Sequence, residues 1–462
     1  MTVPMTIDGT ATEARRTLPV RDPATGKVIG QAPECSPEQL AICVDAARAA
    51  FRPWAAWSPD KRRAALRACG DVLSGHLDEI ARLLTLEQGK PLAQARAEVG
   101  LAASWFGQTA DLSLPEETPA AGVSVQRVPH GVVAAVTPFN FPIILSVCKI
   151  APALLAGNTV VVKPSPATPL ATLRMVQLLA PLLPPGVLSA VSGEVGLGPA
   201  LTGHPEIDLV SFTGSIEVGR AIAREAGGRL KRVVLELGGN DAAIVLPGHS
   251  PADVAPALFD LSMVNSGQFC AAVKRIYVPR AEQDELASAL ADLAKTAQMG
   301  PGLDSSADYG PLTNPAQLAR ADRMVRAAVA AGGRLLAGGC PAAGPGNFLP
   351  ATVVTDLPPG TELEREEQFA PVIPVLGYED PAEAIAAANA TEYGLGASIW
   401  GAPDEAAVLA PALQAGTVWI NTHGDLRNDV PFGGTKSSGM GVEYGYWGLL
   451  EYTRIQVINS AW

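Results

Sequence analysis

Three residue types at particular places in this sequence could carry acyl chemistry between them. Cys270 stands in Asn265-Ser266-Gly267-Gln268-Phe269-Cys270-Ala271-Ala272, where small neighbours let backbone approach a ligand. A free cysteine usually packs as an inert small hydrophobe, so its surroundings alone leave nucleophile and core residue both open. Glu236 sharpens the choice. It ends the apolar run Arg232-Val233-Val234-Leu235-Glu236, followed by Leu237-Gly238-Gly239-Asn240, and lies 34 residues before Cys270. A carboxylate at an apolar strand end is costly unless paired or used. Burial there would raise its pKa towards that of a useful general base; a capping or ion-paired glutamate is the plainer alternative. Asn140, in Thr137-Pro138-Phe139-Asn140-Phe141-Pro142, follows a strand as a helix begins. Its amide could donate to a developing oxyanion, which is worth ~2.7–4 kcal/mol, although position alone favours a helix N-cap.

Two further places suit a phosphate-bearing ligand. Val160-Val161-Val162-Lys163-Pro164-Ser165 puts a lysine at a strand end. Phe212-Thr213-Gly214-Ser215-Ile216-Glu217-Val218-Gly219 is a glycine-bearing strand-to-helix turn whose free N–H groups suit a pyrophosphate. It is not GxGxxG and is weak as a phosphate motif alone. Metal chemistry has little to stand on. The cysteines at 35, 43, 69, 148, 270 and 340 form no CxxC pair, and the histidines at 76, 130, 204, 249 and 423 never stand i, i+4. No metal and no disulfide framework are expected.

The elements that must position these groups read as alternating strands and helices. Residues 20–32, with Asp22-Pro23-Ala24-Thr25-Gly26, have the look of a hairpin, and 36–54 and 59–85 carry apolar residues at helical spacing. From 131 to 245, β-branched runs at 131–137, 159–163, 187–192, 209–212 and 232–236 alternate with helical segments, the pattern of a parallel sheet covered on both faces. A second cycle runs from 242 to about 419, with strands at 242–246 and 275–278, a helix from Pro251 and helices at 281–297 and 315–331. Residues 453–458 alternate like a strand that pairs elsewhere. Ligands in such sheets bind at the carboxyl ends of the strands, where the candidates lie.

The chain has 462 residues, 48% hydrophobic and 17% charged, with 34 basic and 46 acidic side chains for a net charge of −12. That excludes predominant disorder and disfavours nucleic acid or an anionic membrane surface as partner. No charge-free stretch is long enough to span a bilayer, and no signal-peptide pattern opens the chain, so a cytoplasmic protein is expected.

Four motifs together resemble the NAD(P)-dependent aldehyde dehydrogenase superfamily from about residue 20 to 458. They are Glu236-Leu237-Gly238-Gly239-Asn240, Gly267-Gln268-Phe269-Cys270, Glu366-Glu367-Gln368-Phe369-Ala370-Pro371-Val372 and Pro431-Phe432-Gly433-Gly434-Thr435-Lys436-Ser437-Ser438-Gly439. The resemblance implies an α/β fold with a Rossmann-type dinucleotide-binding domain (1–110 and 130–238), an α/β catalytic domain (239–437) and a β-hairpin oligomerisation arm (111–129 and 448–462). It implies Cys270 as nucleophile, Glu236 as general base, Asn140 with the Cys270 N–H as oxyanion donors, and Lys149 and Glu443 as a proton relay. For NAD or NADP it implies Thr137, Pro138, Phe139, Lys163, Ser165, Pro166, Phe212, Thr213, Gly214, Ser215, Gly219, Leu237, Glu367 and Phe369. Lys163 and Glu367 would hold ribose, Ser215 the pyrophosphate, and Phe369 would pack on the nicotinamide. The substrate tunnel would be lined by Phe141, Ile144, Leu145, Cys148, Phe269, Ala271 and Phe432.

The chain departs from the family pattern in three places. Pro166 stands where many NAD-preferring members have a glutamate, leaving the NAD-over-NADP preference open. Ala370 replaces a glycine after the stacking phenylalanine. Cys148 replaces a bulky aromatic and should widen the tunnel. The implied reaction oxidises an aldehyde to a carboxylic acid through a cysteine thiohemiacetal and thioester, in a homodimer or homotetramer. A CoA-acylating semialdehyde dehydrogenase and a non-catalytic protein on the same fold are the alternatives; Glu236 argues against the first, and intact Cys270, Glu236 and Asn140 against the second. The mostly apolar tunnel leans towards a hydrophobic or aromatic aldehyde, while the polar loop 423–427 could instead select a charged tail.

Overall fold

The computed structural model describes residues 2–460. Val132–Val136, Thr159–Lys163, Leu188–Ala190, Leu209–Thr213 and Arg232–Glu236 are nearly unbroken apolar runs, as strands covered on both faces must be, and they pair in parallel. Their order in space is Arg232–Glu236, Leu209–Thr213, Val132–Val136, Thr159–Lys163, Leu188–Ala190. The chain thus winds outward from Val132–Val136 on one side and then returns to its other side. This reversal opens a crevice beyond the carboxyl ends of Val132–Val136 and Leu209–Thr213. The register levels those ends: Val136 lies opposite both Lys163 and Phe212, and Thr213 opposite Glu236. Met5–Ile7 and Thr10–Thr12 extend one edge of the sheet, and Gly439–Met440 closes the other against Leu235 and Glu236.

A second sheet has six parallel strands in the order Thr352–Thr355, Val372–Tyr378, Arg275–Pro279, Ala242–Val245, Gly396–Trp400, Thr417–Ile420, with Arg334–Ala337 antiparallel at its edge. Glu117–Ala120, Val123–Pro129 and Thr453–Asn459 form a separate antiparallel sheet. Residues 448–451 belong instead to the helix Gly445–Glu451, whose Leu449 is buried in the core of the first sheet. Residues 461–462 lie outside the described residues.

The single helix expected over 59–85 is two, Pro59–Gly75 and Leu77–Gln88. The backbone leaves the helical region at His76 (φ −112°, ψ 18°), and the apolar spacing continues across the break, so periodicity does not reveal it. Among the described residues no helix is long and apolar enough to cross a membrane.

Asn158 ties this arrangement together. Fully buried, it accepts from the Gly131 N–H (2.9 Å) and donates to the carbonyls of Ala153 (3.1 Å) and Tyr452 (2.9 Å). It therefore joins the first switch-point strand, the preceding helix and the C-terminal segment. Asn158→Ala would leave buried polar groups unpaired at ~1–3 kcal/mol each. Urea unfolding should show a midpoint lowered by the equivalent of about 2–4 kcal/mol at unchanged m; an unaltered midpoint would show that water reaches these groups.

Candidate active site

The chain turns sharply after the helix Pro251–Met263. Asn265, Ser266 and Gly267 take three successive left-handed conformations (φ 51°, 58° and 74°), a strained path for the first two. Hydrogen bonds from its own side chains and from Lys274 hold it. Asn265 Nδ2 donates to the Asn140 carbonyl (2.9 Å), Ser266 Oγ to the Gly310 carbonyl (2.8 Å), and Lys274 Nζ to the Gly267 carbonyl (2.6 Å). A Cβ on Gly267 would stand 2.2 Å from the Ala370 carbonyl oxygen, so glycine is required there.

The turn delivers Cys270 to the interior. Burial first, and then the neighbouring Glu236, push its thiol well above the ordinary range. Glu236 is 2% exposed, and neither carboxylate oxygen has a hydrogen-bond partner. Burial, reinforced by Glu443, pushes its carboxyl up to about 8, while the nearby thiol and Lys149 draw it down more weakly. The thiol's approach to Glu236 therefore falls short of a well-formed hydrogen bond. Lys149 and Glu443 make a buried ion pair beside it, and Lys149 Nζ also donates to Thr213 Oγ1 (2.7 Å).

Asn140 is not a helix N-cap. Phe141 holds that position for the helix Pro142–Ala156 without a side-chain cap, and Glu98 Oε1 accepts from the N–H groups of Ile143 (2.9 Å) and Ile144 (3.3 Å) instead. The Asn140 amide is free to turn towards the catalytic loop, where Nδ2 donates to the Gln268 carbonyl at 3.0 Å.

The dinucleotide candidates gather around the crevice. Lys163 is buried and donates to the Pro164 carbonyl (3.1 Å); burial lowers its pKa to about 8. Thr137 N–H bonds the Lys163 carbonyl (3.0 Å), while Phe139, after Pro138, sets its ring edge against Phe369 with centroids 5.8 Å apart. Ser215 caps the helix Ile216–Gly228, its Oγ accepting from Val218 N–H at 3.4 Å. A Cβ on Gly214 would meet the Phe212 ring at 2.5 Å, and one on Gly219 would meet Leu237 at 2.5 Å. Glu367 accepts from Gly239 N–H (3.3 Å); desolvation pushes its pKa up against the pull of Lys274. Phe369 is left-handed (φ 47°), its carbonyl held by Gln317 Nε2 at 3.1 Å. A groove of about 590 Å³ runs past Ser215, Arg220, Gly238, Arg320 and Glu367. A buried ammonium without a carboxylate partner, a capped helix N-terminus and a glycine turn that no Cβ could enter suit ribose and pyrophosphate. Ser165 and the exposed Pro166 bring no carboxylate to that end, since Ser165 Oγ accepts only a local N–H, from Ala167 at 3.3 Å.

The substrate candidates divide by depth. Phe141 and Ile144 line an open cavity of about 700 Å³ with Leu101, Phe259, Asp260, Met263 and Asp308, among others. Phe269 sets its edge on Phe141 (5.4 Å), beyond which Phe432 stacks on Tyr444 (5.8 Å). Leu145 is buried on the same helix. Cys148 lies deeper, its thiol raised by burial and by Glu443 and touched by Tyr444. Ala271 is fully buried, its carbonyl against Gly424. The loop 423–427 does not offer a charge to substrate at His423: that ring is 2% exposed, with Nδ1 bonded to Ser398 Oγ (2.9 Å) and Nε2 3.4 Å from Asp241. Arg427 pairs with Asp429 at 2.7 Å.

Lys90, Glu98, Asn265 and Tyr444 were not legible as part of this site. The one local signal was the polar run Glu87-Gln88-Gly89-Lys90 at a helix end. Glu87 there accepts from the N–H groups of Leu170 (2.7 Å) and Ala171 (2.9 Å), capping a distant helix.

Comparison with known proteins identifies the family of the chain. Residues 10–458 match the model of the aldehyde dehydrogenase family. The chain is 38% identical to phenylacetaldehyde dehydrogenase of Pseudomonas fluorescens, over 97% of this chain and 94% of that one. It is 36% identical to the NADP-dependent succinate-semialdehyde dehydrogenase of Escherichia coli, over 95% and 93%. A crystal structure of a betaine aldehyde dehydrogenase variant from Staphylococcus aureus, in complex with NAD+, superposes with a TM-score of 0.95 at 31% identity, covering 99% of this chain and 97% of that one. The chain belongs to the aldehyde dehydrogenase family, oxidoreductases that convert aldehydes to carboxylic acids with NAD or NADP.

Proposed function

We propose that this enzyme oxidises a neutral, apolar aldehyde, with an aromatic tail fitting best, and that Cys270 is its nucleophile and Glu236 its general base. The observation that carries the substrate reading is the cavity at Phe141 and Ile144. Its wall is mainly Ala97, Leu101, Phe259, Met263, Val264 and Leu293; its charged members are Glu98, Asp260 and Asp308, and among the described residues no lysine or arginine lines it. A carboxylate tail entering there would lose water and meet like charge.

In the reaction, the Cys270 thiol loses its proton to Glu236, which passes it on. The sulfur adds to the carbonyl carbon, the new oxyanion takes hydrogen bonds from Asn140 Nδ2 and the Cys270 N–H, and its collapse to the thioester carbonyl expels the hydrogen on that carbon as hydride. NAD or NADP, when bound, supplies the hydride acceptor. Lys163, Glu367, Ser215 and Phe369 would hold it, with Thr137, Pro138, Phe139, Ser165, Pro166, Gly214 and Leu237 shaping its crevice. Glu236 then takes a proton from water, the hydroxide adds to the thioester, the C–S bond breaks, and the acid leaves with the thiol restored. The Lys149–Glu443 pair lies where it can pass that proton on. Two dense environments, for thiol and carboxyl, keep both groups neutral until a ligand's charge enters.

We infer further that the sheet of Glu117–Ala120, Val123–Pro129 and Thr453–Asn459 joins copies of the chain. Its last strand exposes Ile455, Val457 and Ile458, an apolar edge that a lone molecule would leave in water. Sedimentation of Ile455→Asp/Val457→Asp should show a smaller species than the parent; identical sedimentation would remove the arm from the interface.

The substrate reading is tested by kcat/KM for phenylacetaldehyde, succinate semialdehyde and betaine aldehyde, each with NAD and with NADP. Phenylacetaldehyde should lead by about tenfold or more. A lead for succinate semialdehyde sinks the apolar reading while leaving the catalytic residues untouched. The two cofactors should lie within about a hundredfold, the scale of one charge-assisted hydrogen bond.

Glu236 gives a sharper test. A carboxyl raised to about 8 is protonated below that pH and cannot accept a proton, so turnover should climb as pH rises through about 8. Glu236→Gln should flatten that climb and lower turnover by about 10²–10⁴-fold, while a single burst of reduced cofactor survives with a thioester left on Cys270. Unchanged turnover would make the carboxylate structural.

A further inference from the structure

Asn140 offers its amide to the reaction, but its backbone carbonyl is what fixes it. Lys90 Nζ donates to that oxygen at 2.8 Å, and Asn265 Nδ2, from the strained catalytic turn, donates to it at 2.9 Å. Lys90 in turn pairs with Glu98 at 2.5 Å, the two side chains 0% and 1% exposed. The other Glu98 oxygen accepts from the N–H groups of Ile143 and Ile144, and the Lys90 ammonium sits 3.7 Å from the Phe141 ring centroid. The residues on either side of the Asn140–Phe141 peptide are thus held by one buried ion pair, reached from the loop after the helix Leu77–Gln88 and from the helix Leu92–Ala110.

Such a pair is not explained by stability. Taking two charges from water costs several kcal/mol per ion, about what their attraction returns, so apolar residues of similar size would hold the fold as well. A charge pair differs from an apolar contact in direction: an ammonium aimed at one carbonyl oxygen sets a peptide plane, and a carboxylate at a helix start sets where that helix begins. Oxyanion donors lose their effect with small displacements, because the developing charge rewards a donor only at hydrogen-bond distance.

We propose that Lys90 and Glu98 are positioning residues for the oxyanion site, holding Asn140 and, through it, the Asn265–Cys270 turn in the geometry of the reaction. The inference rests on Asn140 being the oxyanion donor. Lys90 touches neither substrate nor cofactor; it acts through a carbonyl. Glu98 also borders the substrate cavity, so the same pair connects the cavity wall to the reacting centre.

A double-mutant cycle tests this. Lys90→Met/Glu98→Gln removes both charges together, keeps an acceptor for Ile143, and leaves no lone buried ion. Single-turnover reduction of the cofactor is measured in the parent and in Asn140→Ala. In the parent background the neutral pair should slow the step by about tenfold or more, with KM moved less than about threefold. In the Asn140→Ala background it should add less than about threefold, since there is no donor left to misplace. Equal losses in both backgrounds overturn the proposal, because a merely structural defect does not depend on the Asn140 amide. Asn140→Ala reacting at the parent rate overturns the oxyanion reading, and this inference with it. If the double variant does not fold, Lys90→Arg, which exchanges a point charge for a planar fork, runs through the same cycle with the same expected split.

Discussion

Water is kept from two ionisable groups that face each other, and the rest of the molecule is arranged around that exclusion. Glu236 and the Cys270 thiol are both buried, and desolvation is the largest influence on each. A neutral carboxyl and a neutral thiol can share a dry site; two anions cannot. Burial therefore favours the neutral form of both groups, and on the proposed mechanism positive charge from a bound oxidised nicotinamide, or a proton acceptor, shifts that balance. The buried Lys149–Glu443 pair lies beside it, joined to Thr213, and is the proton relay of the proposed mechanism.

Two sheets with separate cores have to meet for such a site to exist. Glu236 ends a strand of one, and Cys270 follows a helix that packs on the other. Apolar side chains such as Leu395 and Trp419 reach from the second into the first core, and polar, directional bonds fix how the two meet. Ser438 Oγ donates to the Gly238 carbonyl (2.7 Å), and its carbonyl accepts from Leu237 N–H (2.8 Å), so the late glycine-rich segment locks the end of the Glu236 strand. Gln268 bonds the Thr313 N–H (2.9 Å), and Gln88 the Thr313 hydroxyl (3.1 Å), which links the catalytic turn to the first helices. Apolar packing alone would allow sliding between such bodies; hydrogen bonds into fixed carbonyls do not.

Backbone strain recurs at the same places. Left-handed Asn265, Ser266 and Phe369 lie in the Cys270 turn or beside the candidate cofactor crevice; Asn265 and Ser266 anchor their own side chains to the carbonyls of Asn140 and Gly310, and Gln317 holds the Phe369 carbonyl. Ala370, where the family pattern has a smaller residue, packs its carbonyl under Gly267, so the residue after the stacking ring also supports the turn of the nucleophile. On the proposed roles of Phe369 and Cys270, that link would join cofactor packing to nucleophile position through backbone contact.

Sequence by itself determined the strand–helix alternation, the strand ends and the motif residues, because β-branched runs, turn chemistry and fixed spacings are local properties of the chain. The strands at 159–163 and 232–236 have the bounds their composition implies, and Cys270, Glu236 and Asn140 carry their chemistry in their types and neighbours. The tertiary structure decided what depends on distance between segments far apart in the chain. Asn140 reads locally as a helix cap, and only the approach of Glu98 to the helix start relieves it of that task. His423 reads as an exposed polar loop residue, and only the packing of its loop on Ser398 and Asp241 takes it inside. The break at His76 hides because helical periodicity survives it, and Lys90 hides because a lysine in a polar run is ordinarily solvated. Its burial follows from helices closing over it, which no residue spacing encodes, and desolvation turns an ordinary ammonium into a fixed donor.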